Sequence, residues 1–392
     1  MTAAIPPSGG TEGVAPISAP ISALLRRLLS TPTAPFHEGR VMEVIREALD
    51  ALAIPHRHDR HGNLIARYRK GSGPPWALLA HTDHPGIEVT RVRGATAWGT
   101  FLGGTRPDSL PGARVRLFPD VVETAGRADD GVLATIRATH MVRGEKRLEI
   151  DLPTPRAVAP GAFGGFDLPA PTVSGKTIAA AAVDDLIGCA TTLAVLANLR
   201  ESGAKAHVLG VFTRAEEVGF IGAQLLAEAG TLPATALVVS LEASMEIPGA
   251  RCGLGPVVRV GDRTSVYHSG AEYLLHAAAR ELAREDPGFR FQRQLMTGGT
   301  CEATVFTALG YPAAGLAYPL RNYHNMVMAG VDGGGGGNGN EIDREQIHTA
   351  DFLAGVRLLT RAVTATGRGA PSLTRYYRQL IRDTTRYRNR LR

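Results

Sequence analysis

The sequence predicts an α/β protein, with a mixed central sheet flanked by helices and an all-β segment inserted into it. Three observations carry that expectation. Short, almost wholly apolar runs such as Trp76 to Ala80 and Ala206 to Thr213 read as strands buried on both faces. Over the second half of the chain these runs alternate with apolar residues at helical spacing. Between Ile87 and Val173 the helical spacing disappears, and short alternating runs broken by Gly, Pro and Asp replace it.

In chain order, residues 1–20 are rich in Ala, Pro, Gly and Ser, without the basic start and apolar stretch of a secretory signal, and read as a flexible tail. Residues 21–86 form the first part of the α/β domain. Leu24, Leu25, Leu28 and Leu29, then Val41, Val44, Ile45, Ala48 and Leu49, mark two helices separated by the turn-like Thr31 to Pro35. Strands follow at Asn63 to Tyr68 and Trp76 to Ala80. Residues 87–173 are the β insertion, with runs at Ile87 to Val92, Ala113 to Phe118, Gly131 to Ile136 and Arg147 to Asp151. Residues 174–370 resume the α/β domain: helix Ala190 to Leu199, strand Ala206 to Thr213, helix Gly222 to Glu228, strand Ala236 to Ser240, helix Gly270 to Glu285, strand Ala313 to Leu316 and helix Arg344 to Thr366. The glycine run in Val331 to Asn340 cannot pack a core and reads as a flexible loop. Residues 371–392 are a basic tail.

The chain of 392 residues is 44% hydrophobic and 20% charged, which is the balance of a folded enzyme with room for two domains, and no apolar run is long enough to cross a bilayer. The net charge of +6 is concentrated: Arg375 to Arg392 holds seven arginines and one aspartate, which equals the whole excess. The body is therefore neutral and carries no nucleic-acid footprint. Cys189, Cys252 and Cys301 are far apart and odd in number, so they make neither a disulfide framework nor a metal clip, and a reducing cytoplasm is the expected location.

Five segments place imidazoles or acids just after an apolar strand or beside one: His81-Thr82-Asp83, Val183-Asp184-Asp185, Arg214-Ala215-Glu216-Glu217, Leu241-Glu242-Ala243 and Tyr323-His324-Asn325. In an α/β sheet such positions converge outside the carboxyl ends of the strands. Imidazole and carboxylate are the donors expected for zinc or a similar divalent ion, and a bridging carboxylate lets two ions share one site. On that reading His81 and Glu242 hold one metal, Glu217 and His324 the other, and Asp184 bridges them. Glu216 is left as general base, and Asp83 as an acceptor that orients the other ring nitrogen of His81. Each segment also has an ordinary explanation: a hydrogen-bonded core histidine, a helix cap for Asp184-Asp185, a solvated turn for Glu216-Glu217. Asp185 is expected to support its turn. The full set favours metal, because this many ionisable groups at strand ends without cations would carry repulsion and desolvation costs of several kcal/mol. His56, His58 and His61 read as surface residues, and His84, His268 and His276 lack a matching acid pattern. Cys301 reads as a small buried thiol and Gly298-Gly299 as a substrate-facing turn.

These residues, together with Phe36-His37-Glu38, Gly62-Asn63-Leu64, Val218-Gly219 and Gly298-Gly299-Thr300, resemble the TET-type co-catalytic metalloaminopeptidases, a family that includes glutamyl and deblocking aminopeptidases and relatives bearing a cellulase label. Leu186 stands where that family usually has Arg, Glu242 where it has Asp, Asn325-Met326 where it has Ser-Pro, and Cys301-Glu302 where an Asp follows Gly-Gly-Thr. The resemblance implies a zinc-peptidase-like sheet whose insertion is a PDZ-like or barrel-like domain serving subunit contacts. The function expected is a two-metal hydrolase of amide bonds, first of all an aminopeptidase that removes N-terminal residues from short peptides. A two-metal deacylase or carboxypeptidase-like amidohydrolase, and a catalytically silent oligomeric scaffold, are the alternatives. Two divalent ions per chain are expected, zinc first, then cobalt or manganese. The partners expected are peptides and copies of the same chain, joined through strand edges of the insertion, with no nucleic acid and no membrane. Glu242 or Glu302 is expected to accept the substrate ammonium.

Overall fold

The computed structural model describes residues 17–120, 131–153, 158–328 and 338–365, together with 378, 380–382 and 384–385. Most of the expected N-terminal tail, of the glycine run and of the basic tail lies outside these residues. The last two positions assigned to the N-terminal tail open the helix Ala19–Leu29, and the end of the glycine run enters the strand Asn338–Ile342.

Eight strands form one mixed sheet, in the order His56–His58, Leu64–Arg69, His207–Thr213, Trp76–His81, Leu237–Met245, Ala313–Leu320, Val257–Asp262 and Gln292–Met296. The four central strands, from His207–Thr213 to Ala313–Leu320, are mutually parallel, so their carboxyl ends open on one side of the molecule. Trp76–His81 and Ala313–Leu320 are buried along their whole length. Their unbroken apolar sequences follow from helices on both faces. One face carries the helices Ala19–Leu29, Gly39–Ala51, Leu186–Ser202, Ser269–Glu285 and Thr349–Thr364, packed into a large apolar core. The other carries Ile221–Glu228 and Glu302–Ala308 over a smaller one. Leu186–Ser202 is the innermost helix. Its Leu193, Val195, Leu196 and Leu199 are at most 1% exposed, and burying each such side chain is worth about 1.5–3 kcal/mol. The Asp185 carboxylate caps it by accepting from Gly188 N at 3.1 Å.

The segment expected as a β insertion closes into a six-stranded barrel of Gly86–Arg93, Thr96–Leu102, Arg114–Phe118, Val132–Val142, Glu145–Asp151 and Phe163–Phe166, all pairs antiparallel. Closure removes the free strand edges on which subunit pairing was expected, because every barrel strand has two partners. A second correction concerns Arg344 to Thr366. Glu345–His348 is a strand, antiparallel to Thr177–Ala180 in a three-stranded sheet, and the helix begins only at Thr349. Ile347 fits the helical period of the sequence downstream, but Ile178 pairs with it across the sheet.

Candidate active site

The parallel strands aim the five segments at one point. His81 is the last residue of Trp76–His81, and Glu216 and Glu217 follow the end of His207–Thr213. Glu242 lies within Leu237–Met245, and His324 in the short turn after Ala313–Leu320. Asp184 sits at the entry to the central helix. His81, Asp184, Glu216, Glu242 and His324 are buried. With Glu217 they line or border a cleft of about 360 Å³ that also meets Tyr323, Arg259, Arg263 and the Gly298-Gly299-Thr300 turn.

Ligand atoms of His81, Asp184 and Glu242 lie within 4.8 Å of one another, and so do those of Asp184, Glu217 and His324. Asp184 belongs to both sets. Glu216 forms a further set with His81 and Glu217, so it borders the same space. His81 Nε2 is 3.4 Å from Asp184 Oδ1, and His324 Nε2 is 3.2 Å from Glu217 Oε2. Two donors each about 2.1 Å from a tetrahedrally coordinated ion stand roughly 3.4 Å apart, so these separations fit donors sharing a cation. Both ring nitrogens of His324 and Oε1 of Glu217 are buried without a hydrogen-bond partner among the described residues. Such orphaned groups fit a metal and are costly without one.

The electrostatics agree. Burial pushes the Glu242 carboxyl up to about 8, with Asp184 adding to the effect. Burial also drives Glu216 well above its ordinary value, against an opposing pull from His81. Burial disfavours the imidazolium of His81, but Glu216, Asp184 and Asp83 outweigh it and hold that histidine well above its usual range. At His324 burial is likewise outweighed, chiefly by Glu217. Carboxylates and imidazoles here compete for protons because positive charge is in demand.

A ring of saturated acids surrounds this cluster. The Asp83 carboxylate accepts from Glu216 N and Glu217 N, both at 3.0 Å. The expected contact from His81 Nδ1 goes first to the Asp83 backbone carbonyl, at 3.1 Å, with Oδ1 at 3.5 Å. Asp83 therefore fixes the double glutamate through the backbone more directly than it orients the ring. Glu345 accepts from Val183 N, Asp184 N and His324 N at 2.8–2.9 Å. Glu38 accepts from Ala215 N at 2.9 Å and Arg214 Nε at 2.7 Å. These bonds hold strained backbone, since Ala215, Asn322, His324 and Asn325 all have φ between 52° and 63°, at a cost of about 1–3 kcal/mol for such a non-glycine residue.

Sequence reasoning missed three features. His84, passed over for want of an acid pattern, is buried and spans Asp184 O at 2.8 Å and Asn325 Oδ1 at 3.0 Å. Glu345 carried no signal, because its three backbone partners lie far away in sequence. Gly104, from the barrel, lets that domain touch the site: a Cβ there would stand 2.4 Å from the His324 ring. Glu302 is a correction. It is fully buried and does not line the cleft, so it cannot accept a substrate ammonium.

A fold that gathers two imidazoles and four carboxylates around one cleft has the donor chemistry of a metal-dependent hydrolase. The family model of the M42 glutamyl aminopeptidases matches residues 62–333, and the chain belongs to that family of peptide-bond hydrolases. Among its relatives, a candidate aminopeptidase of Acetivibrio thermocellus is 26% identical over 299 residues, covering 73% of this chain and 85% of that protein. The fold is similar to that of a TET aminopeptidase from a marine sediment Thaumarchaeota archaeon, with a TM-score of 0.70, 20% identity and coverage of 88% of this chain and 97% of the other. It is equally similar to the Pyrococcus horikoshii TET1 peptidase, which assembles into a tetrahedron or a large octahedral shell, with a TM-score of 0.69, 20% identity and coverage of 88% and 99%. Among the described residues no helix is long and apolar enough to cross a membrane.

Proposed function

We propose that this peptidase is an aminopeptidase with two divalent ions, one held by His81, Asp184 and Glu242 and the other by Asp184, Glu217 and His324. The observation that carries the reading is the pair of ligand sets that share Asp184. Zinc suits the mixture of imidazole and carboxylate, with cobalt or manganese as substitutes. Ions bound there supply Lewis-acid polarisation of the scissile carbonyl and make an attacking water more acidic.

The chain's own residues do the rest. Glu216, in no more than bordering contact with the two sets, receives the proton of the attacking water on its carboxylate and returns it to the departing amine. Burial favours its protonated form, which suits the second half of that task. Asp83 fixes where Glu216 stands, through the backbone. Glu242 is the acid of the cleft best suited to accept the free ammonium of a peptide. The Gly298-Gly299-Thr300 turn lines the same cleft.

The same reading makes the chain a homo-oligomer acting on short peptides in the cytoplasm, where its three free cysteines would stay reduced. The division at residues 87–173 belongs to it as well, with the barrel lending Gly104 to the site.

The test compares metal-loaded protein on free and N-acetylated peptides. Acetylation removes the charge that Glu242 would accept, so kcat/KM is expected to fall at least about tenfold, with single residues released from the N-terminal end. Faster cleavage of acylated substrates, or release from the C-terminal end, would replace this reading with the deacylase alternative.

A further inference from the structure

A histidine that ligates a metal almost always donates its other ring N–H to a carboxylate, a carbonyl or a water, and that bond fixes the ring. His324 is held differently. Its Nε2 faces Glu217 Oε2 at 3.2 Å, and the remaining nitrogen, Nδ1, is buried with no hydrogen-bond partner among the described residues. Packing takes the place of the bond. The Tyr323 ring stacks on the imidazole, with centroids 3.7 Å apart and planes 24° from parallel. Gly104 closes on the ring edge, where a Cβ would stand 2.4 Å from both Cε1 and Nδ1. Contact this close leaves the ring no room to turn toward the barrel.

Gly104 is itself pinned from within the barrel. Lys146, in the strand Glu145–Asp151, donates from one ammonium to the two carbonyls that flank it, those of Gly103 and Thr105, the second at 3.0 Å. Bonds from a charged donor are stronger than neutral ones. The same ammonium lies 5.3 Å from the centroid of the Phe101 ring. Thr105 Oγ1 in turn donates to the His324 carbonyl at 3.3 Å. A continuous set of contacts therefore runs from a barrel lysine, through Gly103-Gly104-Thr105, to the imidazole.

We propose that Lys146 and Gly104 of the barrel, together with Tyr323, are the positioning residues of the His324 ring, so that one of the two ion sites is completed from the barrel side and is emptied when this contact is loosened. The inference rests on the two-ion reading for what His324 binds. It makes the barrel a part of the metal centre, because a ligand placed by packing is only as well placed as the group it packs against.

The experiment titrates cobalt into metal-free wild type and the variants Gly104→Ala, Tyr323→Leu, Tyr323→Phe, Lys146→Met and Lys146→Arg, with calorimetry for affinity and elemental analysis for ions per chain. Gly104 lies outside the left-handed region, so alanine there tests the contact and not the backbone. In Gly104→Ala and Tyr323→Leu the affinity for one ion is expected to fall by about 10- to 100-fold, while the other stays near its wild-type value. Tyr323→Phe keeps the stack and should bind both ions. Lys146→Met should weaken the same single ion, with partial recovery in Lys146→Arg. Lys146 is close enough to Glu217 to act on its charge, but removing a neighbouring cation would by itself strengthen ion binding, so weakening marks the clamp. Wild-type affinity for both ions in Gly104→Ala and Tyr323→Leu, or equal weakening of both ions with a lowered unfolding midpoint, would overturn the proposal. Should Gly104→Ala fail to fold, the Tyr323 and Lys146 variants carry the same comparison. If the wild type binds fewer than two ions, the two-ion reading fails on its own. Crystal structures of the metal-free wild type, Gly104→Ala and Tyr323→Leu then decide the matter: a displaced His324 ring in the variants supports the positioning role, and an unmoved ring overturns it.

Discussion

The buried acids around the cleft divide into those that hold the backbone and those that, on the proposed reading, work in the reaction. Glu38, Asp83 and Glu345 each direct both carboxylate oxygens at hydrogen-bond donors, including the backbone N–H groups of Ala215, Glu216, Glu217, Val183, Asp184 and His324. Among the described residues Glu217 leaves Oε1 with no partner, and Glu242 receives only a hydroxyl from Ser240 at 3.3 Å. Saturated acids fix the backbone of the segments proposed to carry ligands, and the unsaturated ones remain available for cations and protons. Adjacent positions differ in direction: Asp185 caps a helix through Oδ1 while Asp184 faces the cleft.

The comparison is broken most severely at a working acid. Glu216→Gln preserves size and backbone bonding but cannot take a proton. Turnover is expected to fall by roughly 100- to 10,000-fold, with two ions per chain retained by elemental analysis. Loss of the ions along with turnover would make Glu216 a ligand, as its nearness to His81 and Glu217 allows.

A holding acid should fail differently. Glu345→Gln must turn an amide NH₂ toward at least one N–H that now meets an oxygen, which loosens Asp184 or His324. Metal affinity is expected to fall by about 10- to 100-fold, while kcat at saturating metal recovers to near the wild-type value. A metal titration followed by calorimetry and by rate separates the two. A lowered kcat that excess metal cannot restore would move Glu345 into the working set.

The positions of the cleft residues were legible in the sequence, as was Asp83 as a supporting acceptor, but Glu345 was not. His81, Glu216, Glu217 and Glu242 announce themselves by lying within or after apolar strands, where a polar residue needs a reason. Glu345 sits at the start of Arg344 to Thr366, which reads as a helix in the sequence. Its role comes from pairing with Thr177–Ala180, a contact between residues more than 160 positions apart. The α/β order was legible because alternating periods record which face each element buries. The closure of the barrel was not, since alternation along a strand does not say whether the first strand meets the last.

Glu302 fits neither set, and the smallest expected effect follows from it. It is fully buried at the start of Glu302–Ala308, and neither oxygen has a hydrogen-bond partner among the described residues. The neighbouring Thr213 hydroxyl donates to Ala80 O instead. Burial pushes the Glu302 carboxyl up to about 7, although His81 opposes the shift. A carboxyl raised on folding binds its proton more tightly in the folded state. Its contribution to stability is therefore complete below its ordinary value of 4.5 and is lost as pH rises through about 7. The loss is on the order of 3 kcal/mol. In metal-free protein Glu302→Gln removes this titration, so the unfolding midpoint should fall less between pH 5 and pH 8 in the variant than in the wild type. Equal slopes in the two proteins would show that Glu302 stays ionised in the fold, held by the cationic imidazole of His81, and would place it with the acids that hold.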